Sequence, residues 1–151
     1  MVPLTDRIKL LGFIFDKSLS MDHHVANLCK ACFFHIRAIR HIRPAINDDT
    51  AKTIASSLVS CQLDYANSVL YSTSLTNIKR LQRVQNGLAR VVARLRTRSP
   101  TTPTLNELHW LPIIHRIDYK IATLTYKVQD CGEPTYLHSR ISFCVPRREL
   151  R

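Results

Sequence analysis

Basic side chains at helical spacing are the feature of this 151-residue sequence best suited to chemistry. At about 100° per residue, Lys79, Arg83, Arg90 and Arg94 fall within roughly 60° of one another on a helical wheel. A guanidinium offers several donors in a fork, so a ridge of this kind suits the phosphates of a nucleic acid backbone. Arg37 and Arg40 form a second basic line. A solvated helix face is the alternative that such charge runs leave open.

The net charge of the chain is concentrated in two stretches that contain no Asp or Glu. The sequence carries 22 Lys and Arg against 11 Asp and Glu, which gives a formal net charge of +11. Residues 23–47 hold four basic side chains and residues 65–106 hold seven. The rest of the chain is balanced, so these two stretches account for the whole net charge. Like charges repel along a helix, which favours a polyanionic partner.

Candidate metal ligands occur in two weak groups. Cys29 and Cys32 form a CxxC followed by His35, but no fourth ligand follows at the spacing of a zinc site. Two small core residues are the usual explanation of a CxxC inside a periodic helix. The neighbouring His23 and His24 point in different directions on a helix. We therefore predict no metal site.

The acidic pair Asp48 and Asp49 invites comparison with two-metal catalysis, which needs carboxylates converging from a strand turn or from separate elements. Here the pair follows Pro44 and precedes a helical pattern, which favours helix capping. The sequence shows no nucleophile in a known context, no Walker loop and no dinucleotide fingerprint. No catalytic residue is predicted.

The elements that position these residues are mainly helices. The apolar run 8–15 predicts one strand, with a bulge or close approach at Gly12. A helix is expected over 22–43, with Ser20 as its N-cap and Pro44 as its stop. A second helix opens at Asn47 and runs toward Tyr71.

The second half of the chain continues the helical pattern. The basic helix is expected over 76–96, followed by a Pro and Thr linker at 99–103. A capping box at 104–107 predicts a short helical turn. Pro112 should start a longer helix that ends at Gly132. The tail from Tyr136 is left unassigned.

Composition supports one ordinary globular unit. The chain is 45% hydrophobic, and its three Gly and 7% aromatic content argue against a β-sandwich, a Gly-rich phosphate loop and a platform of many stacking rings. The predicted fold is a mainly α helical bundle, thumb-like, with a short N-terminal β remnant. Its segments are 1–21, 22–98, the linker 99–103, and 104–151. Five cysteines without a signal peptide or membrane span predict an intracellular protein, nuclear or cytoplasmic, with free thiols.

Five sequence strings in the same order carry a resemblance. KLLGFIFDKSLS, LDYANSVLY, LQRVQNGLAR, LHWLPIIHRIDYK and PTYLHSRI together resemble the C-terminal part of reverse transcriptases of LINE-type (non-LTR) retrotransposons, in the jockey and chicken-repeat group. The resemblance covers nearly the whole chain.

The resemblance implies part of a hand-shaped RNA-directed DNA polymerase. Residues 9–16 correspond to the last palm strand, 22–96 to the thumb that packs on the template and primer duplex, and 109–120 to the connection beyond it. The family's catalytic aspartates have no counterpart here, and Mg²⁺ would belong to that missing palm site. The upstream endonuclease domain and the segment that follows in the family are also missing, so we expect a truncated gene copy or a short frame in a decayed element.

The resulting expectation is unspecific binding of a nucleic acid duplex, without catalysis by this chain alone and without a membrane partner. Three alternatives remain open. One is a helical interaction module that binds an acidic protein. Another is a polymerase completed by a separately encoded palm. The third is a non-functional translated remnant without a stable fold, in which the strand at 8–15 would be prone to aggregation.

Overall fold

The computed structural model describes residues 6–96 and 98–142 and is mainly α-helical. Two short strands come first, β1 (Arg7–Leu10) and β2 (Phe13–Asp16). The helices are α1 (Asp22–Ile42), α2 (Asp48–Ala55), α3 (Cys61–Asp64), α4 (Leu75–Val92), α5 (Thr102–Glu107), α6 (Ile113–Cys131) and α7 (Thr135–His138). The predicted fold class, a mainly α bundle with a short N-terminal β segment, is confirmed. The outer parts of the predicted terminal segments, 1–5 and 143–151, lie outside the described residues.

The N-terminal β segment is a hairpin, and the prediction of one strand over 8–15 is wrong. β1 and β2 pair antiparallel, with Leu10 opposite Phe13. Leu11 and Gly12 between them have φ values of 48° and 87°. Positive φ at both central residues is what a type I′ two-residue turn requires. Gly12 therefore lies in a turn. The sequence does not signal this turn, because Leu11 stands where Asn or Asp is the usual residue.

The first helix agrees with its predicted span. α1 runs from Asp22 to Ile42, and Pro44 follows in a 3-10 turn that stops it. The assignment of Ser20 as the N-cap is wrong by one residue, because Met21 occupies that position with a φ of 63°. The Ser20 hydroxyl still accepts a hydrogen bond from the Asp22 N–H at 3.2 Å.

The second predicted helix is interrupted. It starts as expected, with the Asn47 side chain accepting from the Thr50 N–H at 2.8 Å. A π-helical turn, Ser56–Ser60, joins α2 to α3. The helix then ends at Asp64, short of Tyr71, and a 3-10 turn follows.

The basic helix α4 ends at Val92, short of the predicted end at 96. The chain leaves it through two hydrogen bonds, from the Leu95 N–H to the Arg90 carbonyl (2.8 Å) and from the Arg94 N–H to the Val91 carbonyl (3.3 Å). These are the two bonds of a Schellman motif. Its left-handed position, usually glycine, is Arg94 at a φ of 54°. Because the residue is arginine, the sequence carried no stop signal.

The C-terminal helices are in part as predicted. α5 begins at Thr102, inside the predicted linker, and its N-cap position is Thr101. The capping box that assigned this role to Thr104 is therefore wrong. α6 follows Pro112 and ends at Gly132, as expected. α7 lies in the unassigned tail.

One apolar core contains residues of β2, α1, α2, α3, α4 and α6, and α1 and α4 form the most extensive helix pair in it. It includes Ile113 and Ile117 of α6, so residues on both sides of the predicted linker share it. The segment boundaries themselves stay predictions. The remaining members of the core are Phe13, Met21, Val25, Cys32, Ile36, Ile39, Ala55, Val59, Leu63, Leu70, Leu81, Val84, Leu88, Val91 and Val92.

Two buried amides on α4 tie the core to neighbouring segments. The Asn77 Nδ2 group donates to the Ser20 carbonyl (3.2 Å) and to Asp22 Oδ1 (2.8 Å) at the start of α1. The Gln85 Nε2 group donates to the Leu111 carbonyl (2.7 Å) just before α6. Since a buried amide without a partner is costly, these contacts set where α1 and α6 meet α4.

Candidate functional site

A groove of about 610 Å³ lies where the C-terminal parts of α1 and α4 come together. Its lining combines apolar and basic residues, and residues of both acid-free stretches meet in it. The lining consists of Phe33, Arg40, Arg43, Pro44, Arg83, Gly87, Arg90, Val91, Arg94, Leu95 and Arg96. We call this the arginine groove.

Gly87 accounts for the shape of the arginine groove. A Cβ atom at this position would lie 3.6 Å from Phe33 Cε1 and 3.9 Å from Ile36 Cδ1. Both are ordinary contact distances, so the lack of a side chain at Gly87 lets Phe33 pack directly against α4, with 37% of Phe33 exposed. The close approach of the two helices thus leaves a partly exposed aromatic residue in a groove lined by arginines.

The electrostatics of the arginine groove are one-sided. Six of its lining residues are arginines, and none is an Asp or Glu. The ion pairs between residues within 6–96 and 98–142 involve only one groove arginine, Arg43, which pairs with Asp48. Asp48 lies outside the groove lining, and the hydrogen bond and charge of Arg43 hold the pKa of its carboxyl below the ordinary value. The groove therefore retains a strong positive charge.

Arg43 is a structural residue of this groove. Its side chain is 6% exposed, and its Nε and Nη2 atoms donate to the Val92 carbonyl at 3.0 and 2.7 Å. Its Nη1 atom donates to the Ile46 carbonyl at 3.0 Å. The guanidinium thus holds the end of α1 against the last turn of α4, and its donors are used within the protein.

Arg94 also contacts the end of α1, although unlike Arg43 it is exposed. It lies beyond the end of α4, and its Nη2 atom donates to the carbonyls of Arg43 (3.4 Å) and Ile46 (3.2 Å). The prediction that four basic residues form a ridge on one helix is therefore wrong for Arg94. The remaining three ridge residues do lie on α4.

Four arginines are left as candidate ligand contacts. Arg40 and Arg83 are exposed on α1 and α4, and Arg96 is exposed in the loop after α4. Arg90 is half-buried and donates from Nε to the Ser99 carbonyl at 3.3 Å, which leaves its terminal nitrogens for another acceptor. We call Arg40, Arg83, Arg90 and Arg96 the rim arginines.

The structure brings together some of the predicted site residues and separates others. Arg40, Arg83, Arg90 and Arg94 line the arginine groove. Lys79 is exposed on α4 outside the lining. Arg37 is also outside it, and its Nε donates to the carbonyl of Phe33 at 3.3 Å.

Two groove residues, Arg43 and Arg96, were not among the predicted site residues. Both belong to the acid-free stretches, so charge segregation was the available signal. Both lie inside the predicted helices, over 22–43 and 76–96, but the structure places Arg43 after the end of α1 and Arg96 after the end of α4, so a helical wheel does not describe their positions.

The CxxC lies in and beside the core. Cys32 is fully buried and Cys29 half-buried on α1. Burial raises the pKa of Cys32 to about 12. No three His, Cys, Asp or Glu side chains converge on a possible metal position within the described part of the chain.

His24 packs on the hairpin. Its ring stacks on that of Phe13 with centroids 4.0 Å apart. Burial lowers the pKa of His24 below its ordinary value. This histidine is therefore a packing residue that favours the neutral form.

Comparison with known proteins finds no matching protein-family model, curated protein or solved structure. Among the helices formed by residues 6–96 and 98–142, none has the length and apolar character that crossing a bilayer requires.

Proposed function

We propose that this chain binds nucleic acid through the arginine groove, as the template and primer-binding, thumb-like part of a non-LTR retrotransposon reverse transcriptase. The observation that carries the proposal is the convergence of arginines from two separate acid-free stretches on one groove whose lining contains no carboxylate. The sequence resemblance supplies the polymerase context. Binding, without polymerisation by this chain alone, is the proposed activity.

The proposed contacts are those of the rim arginines with phosphate oxygens. A guanidinium presents paired donors that match two oxygens of one phosphate. Phosphates carry no sequence information, so binding should be unspecific and sensitive to salt. With one phosphate for each rim arginine, log K should fall with log salt at a slope of about −3.6 on B-form DNA.

Fluorescence anisotropy of a labelled duplex, titrated at several salt concentrations, tests this proposal. The double substitution Arg40→Gln and Arg83→Gln should weaken binding and reduce the slope to about −1.8. The matched control, Arg37→Gln with Lys79→Gln, removes the same charge outside the groove lining and should keep most of the slope. Equal losses in the two variants would mean that only net charge matters and would refute a site at the groove.

A parallel titration separates nucleic acid from an acidic protein partner. Heparin is unsuitable because it is itself a polyanion. An RNA–DNA hybrid and an acidic peptide of equal charge should be compared directly. Tighter binding of the peptide would overturn the proposal in favour of an interaction module. Primer extension by this chain alone is expected to give no product.

A further inference from the structure

The apolar residues of the arginine groove are not needed for phosphate contacts. Phosphate binding uses donors and positive charge, which the rim arginines supply. The lining also contains five residues without polar side chains, Phe33, Pro44, Gly87, Val91 and Leu95. A lining that combines apolar and basic residues fits a ligand that carries an apolar surface and an anion on the same small unit.

The volume of the groove limits the size of the ligand that can enter it. Its volume of about 610 Å³ falls within the range of about 300 to 1,000 Å³ of small-molecule sites, too small to admit a base-paired duplex. Arg83 and Arg90 are seven residues apart on α4, about 10 Å along the helix, with Gly87 between them. Arg40 faces the same groove from α1. A flat ring bound beside Phe33 would therefore have positive charge on either side.

We infer that the arginine groove holds one unpaired nucleotide, with its base against Phe33 and its flanking phosphates on the rim arginines. This inference rests on the proposed nucleic acid binding and names the part of the ligand that enters the groove. Unstacked bases are commonly bound by stacking on aromatic rings or guanidinium planes. The partly exposed Phe33, with the apolar residues beside it in the lining, is the feature that would accept the base. The chain should then prefer nucleic acid with a single-stranded end over a blunt duplex.

Abasic oligonucleotides test the inference, because they remove bases and keep phosphates. The full chain is titrated with a duplex bearing a short single-stranded overhang, with the same duplex carrying abasic sugars in the overhang, and with a blunt duplex. Loss of one stacked base should weaken binding by about 5- to 160-fold. The substitution Phe33→Ala should remove this difference between the normal and abasic overhangs.

The neighbouring phenylalanine provides a matched control. Phe34 is 68% exposed on the same helix and is not part of the groove lining, so Phe34→Ala should keep the full discrimination. Phe33→Leu keeps an apolar contact with α4 but has no ring to stack, and it guards against a folding defect in Phe33→Ala. Circular dichroism melts of all three variants establish that they fold.

The possible outcomes separate the two proposals. Equal affinity of the wild-type chain for normal and abasic overhangs overturns the nucleotide site, while a salt slope that responds to Arg40→Gln and Arg83→Gln leaves phosphate binding intact. Discrimination that survives in folded Phe33→Leu also overturns the assigned base position. Absence of binding to every oligonucleotide refutes the proposed function itself.

Discussion

Replacing Arg43 by methionine should destabilise the protein far more than replacing Arg40, although both arginines line the same groove. Arg43 is buried, and three of its hydrogen bonds reach main-chain carbonyls at 2.7 to 3.0 Å. Arg40 is exposed. Methionine keeps most of the hydrocarbon stem of the arginine, so Arg43→Met chiefly removes the guanidinium.

The magnitude follows from the carbonyl groups that lose their donor. Val92 is the last residue of α4, so its carbonyl has no partner within the helix and depends on Arg43. A hydrogen bond from a charged donor contributes about 1.5 to 3 kcal/mol, and the half-buried Ile46 carbonyl, which keeps its hydrogen bond from Arg94, adds about 1 kcal/mol. No share is assigned to the ion pair with Asp48, because that carboxylate is 74% exposed and water replaces the contact. The expected loss is about 3 kcal/mol.

Urea unfolding followed by circular dichroism at 222 nm measures this loss. For a chain of this length, about 3 kcal/mol corresponds to a decrease in Tm of roughly 6 to 12 °C. The control Arg40→Met should stay within about 0.5 kcal/mol of the wild type. Arg43→Lys keeps the charge but lacks the planar fork, so it should recover only part of the lost stability.

Equal stabilities of Arg43→Met and Arg40→Met would refute this reasoning. So would complete recovery by Arg43→Lys, since that result would make charge, and not the hydrogen-bonded fork, the stabilising feature.

Three further predictions concern the packing of the helices and the hairpin. Gly87→Ala should stabilise α4 by about 0.5 to 1 kcal/mol in urea unfolding, because the new methyl group meets the Phe33 ring at an ordinary contact distance. Burial beside Phe13 keeps the pKa of His24 below its ordinary value of 6.5, so the unfolded chain binds the proton more readily. Stability should therefore fall as the pH drops below about 6.5, and His24→Gln should show a smaller fall between pH 7.5 and 5. The buried Cys32 thiol should react with a disulfide reagent at pH 8 only after unfolding, as comparison with Cys32→Ser would show.

Each of these predictions has a contrary result. A destabilised Gly87→Ala would mean that the ring cannot accommodate a methyl group. Identical pH profiles for the wild type and His24→Gln would mean that the His24 ring is not protected from protonation. Labelling of Cys32 as fast as that of the exposed Cys61 would contradict its place in the core.

Periodicity predicted the long helices well because the responsible signals are local. The spacing of apolar residues identified α1, α4 and α6, and Asn47, Pro44 and Gly132 marked boundaries that the structure confirms. These residues act on the backbone beside them, so their effect can be read without knowledge of the fold.

Three turns that the sequence did not signal share one physical cause. Leu11, Arg94 and His109 all adopt positive φ values, at 48°, 54° and 55°, at turns where glycine or asparagine is the usual residue. Their side chains disfavour this conformation, so no sequence rule would place them there. Tertiary contacts offset the cost in at least two cases. Tyr65 donates a hydrogen bond to the Leu11 carbonyl at 3.0 Å, and the guanidinium of Arg94 bonds to main-chain carbonyls near the end of α1.

The sequence by itself determined that the protein is mainly α-helical and that its whole net charge lies in two stretches without acidic residues. Only the tertiary structure decided which arginines share a groove and which of them use their donors within the protein. The close approach of α1 and α4 at Gly87 brings Arg40 to the same cleft as Arg83. The same packing buries Arg43 against carbonyls that no local pattern reveals. Charge is a property of the residue, but the availability of its donors depends on the neighbours that the fold supplies.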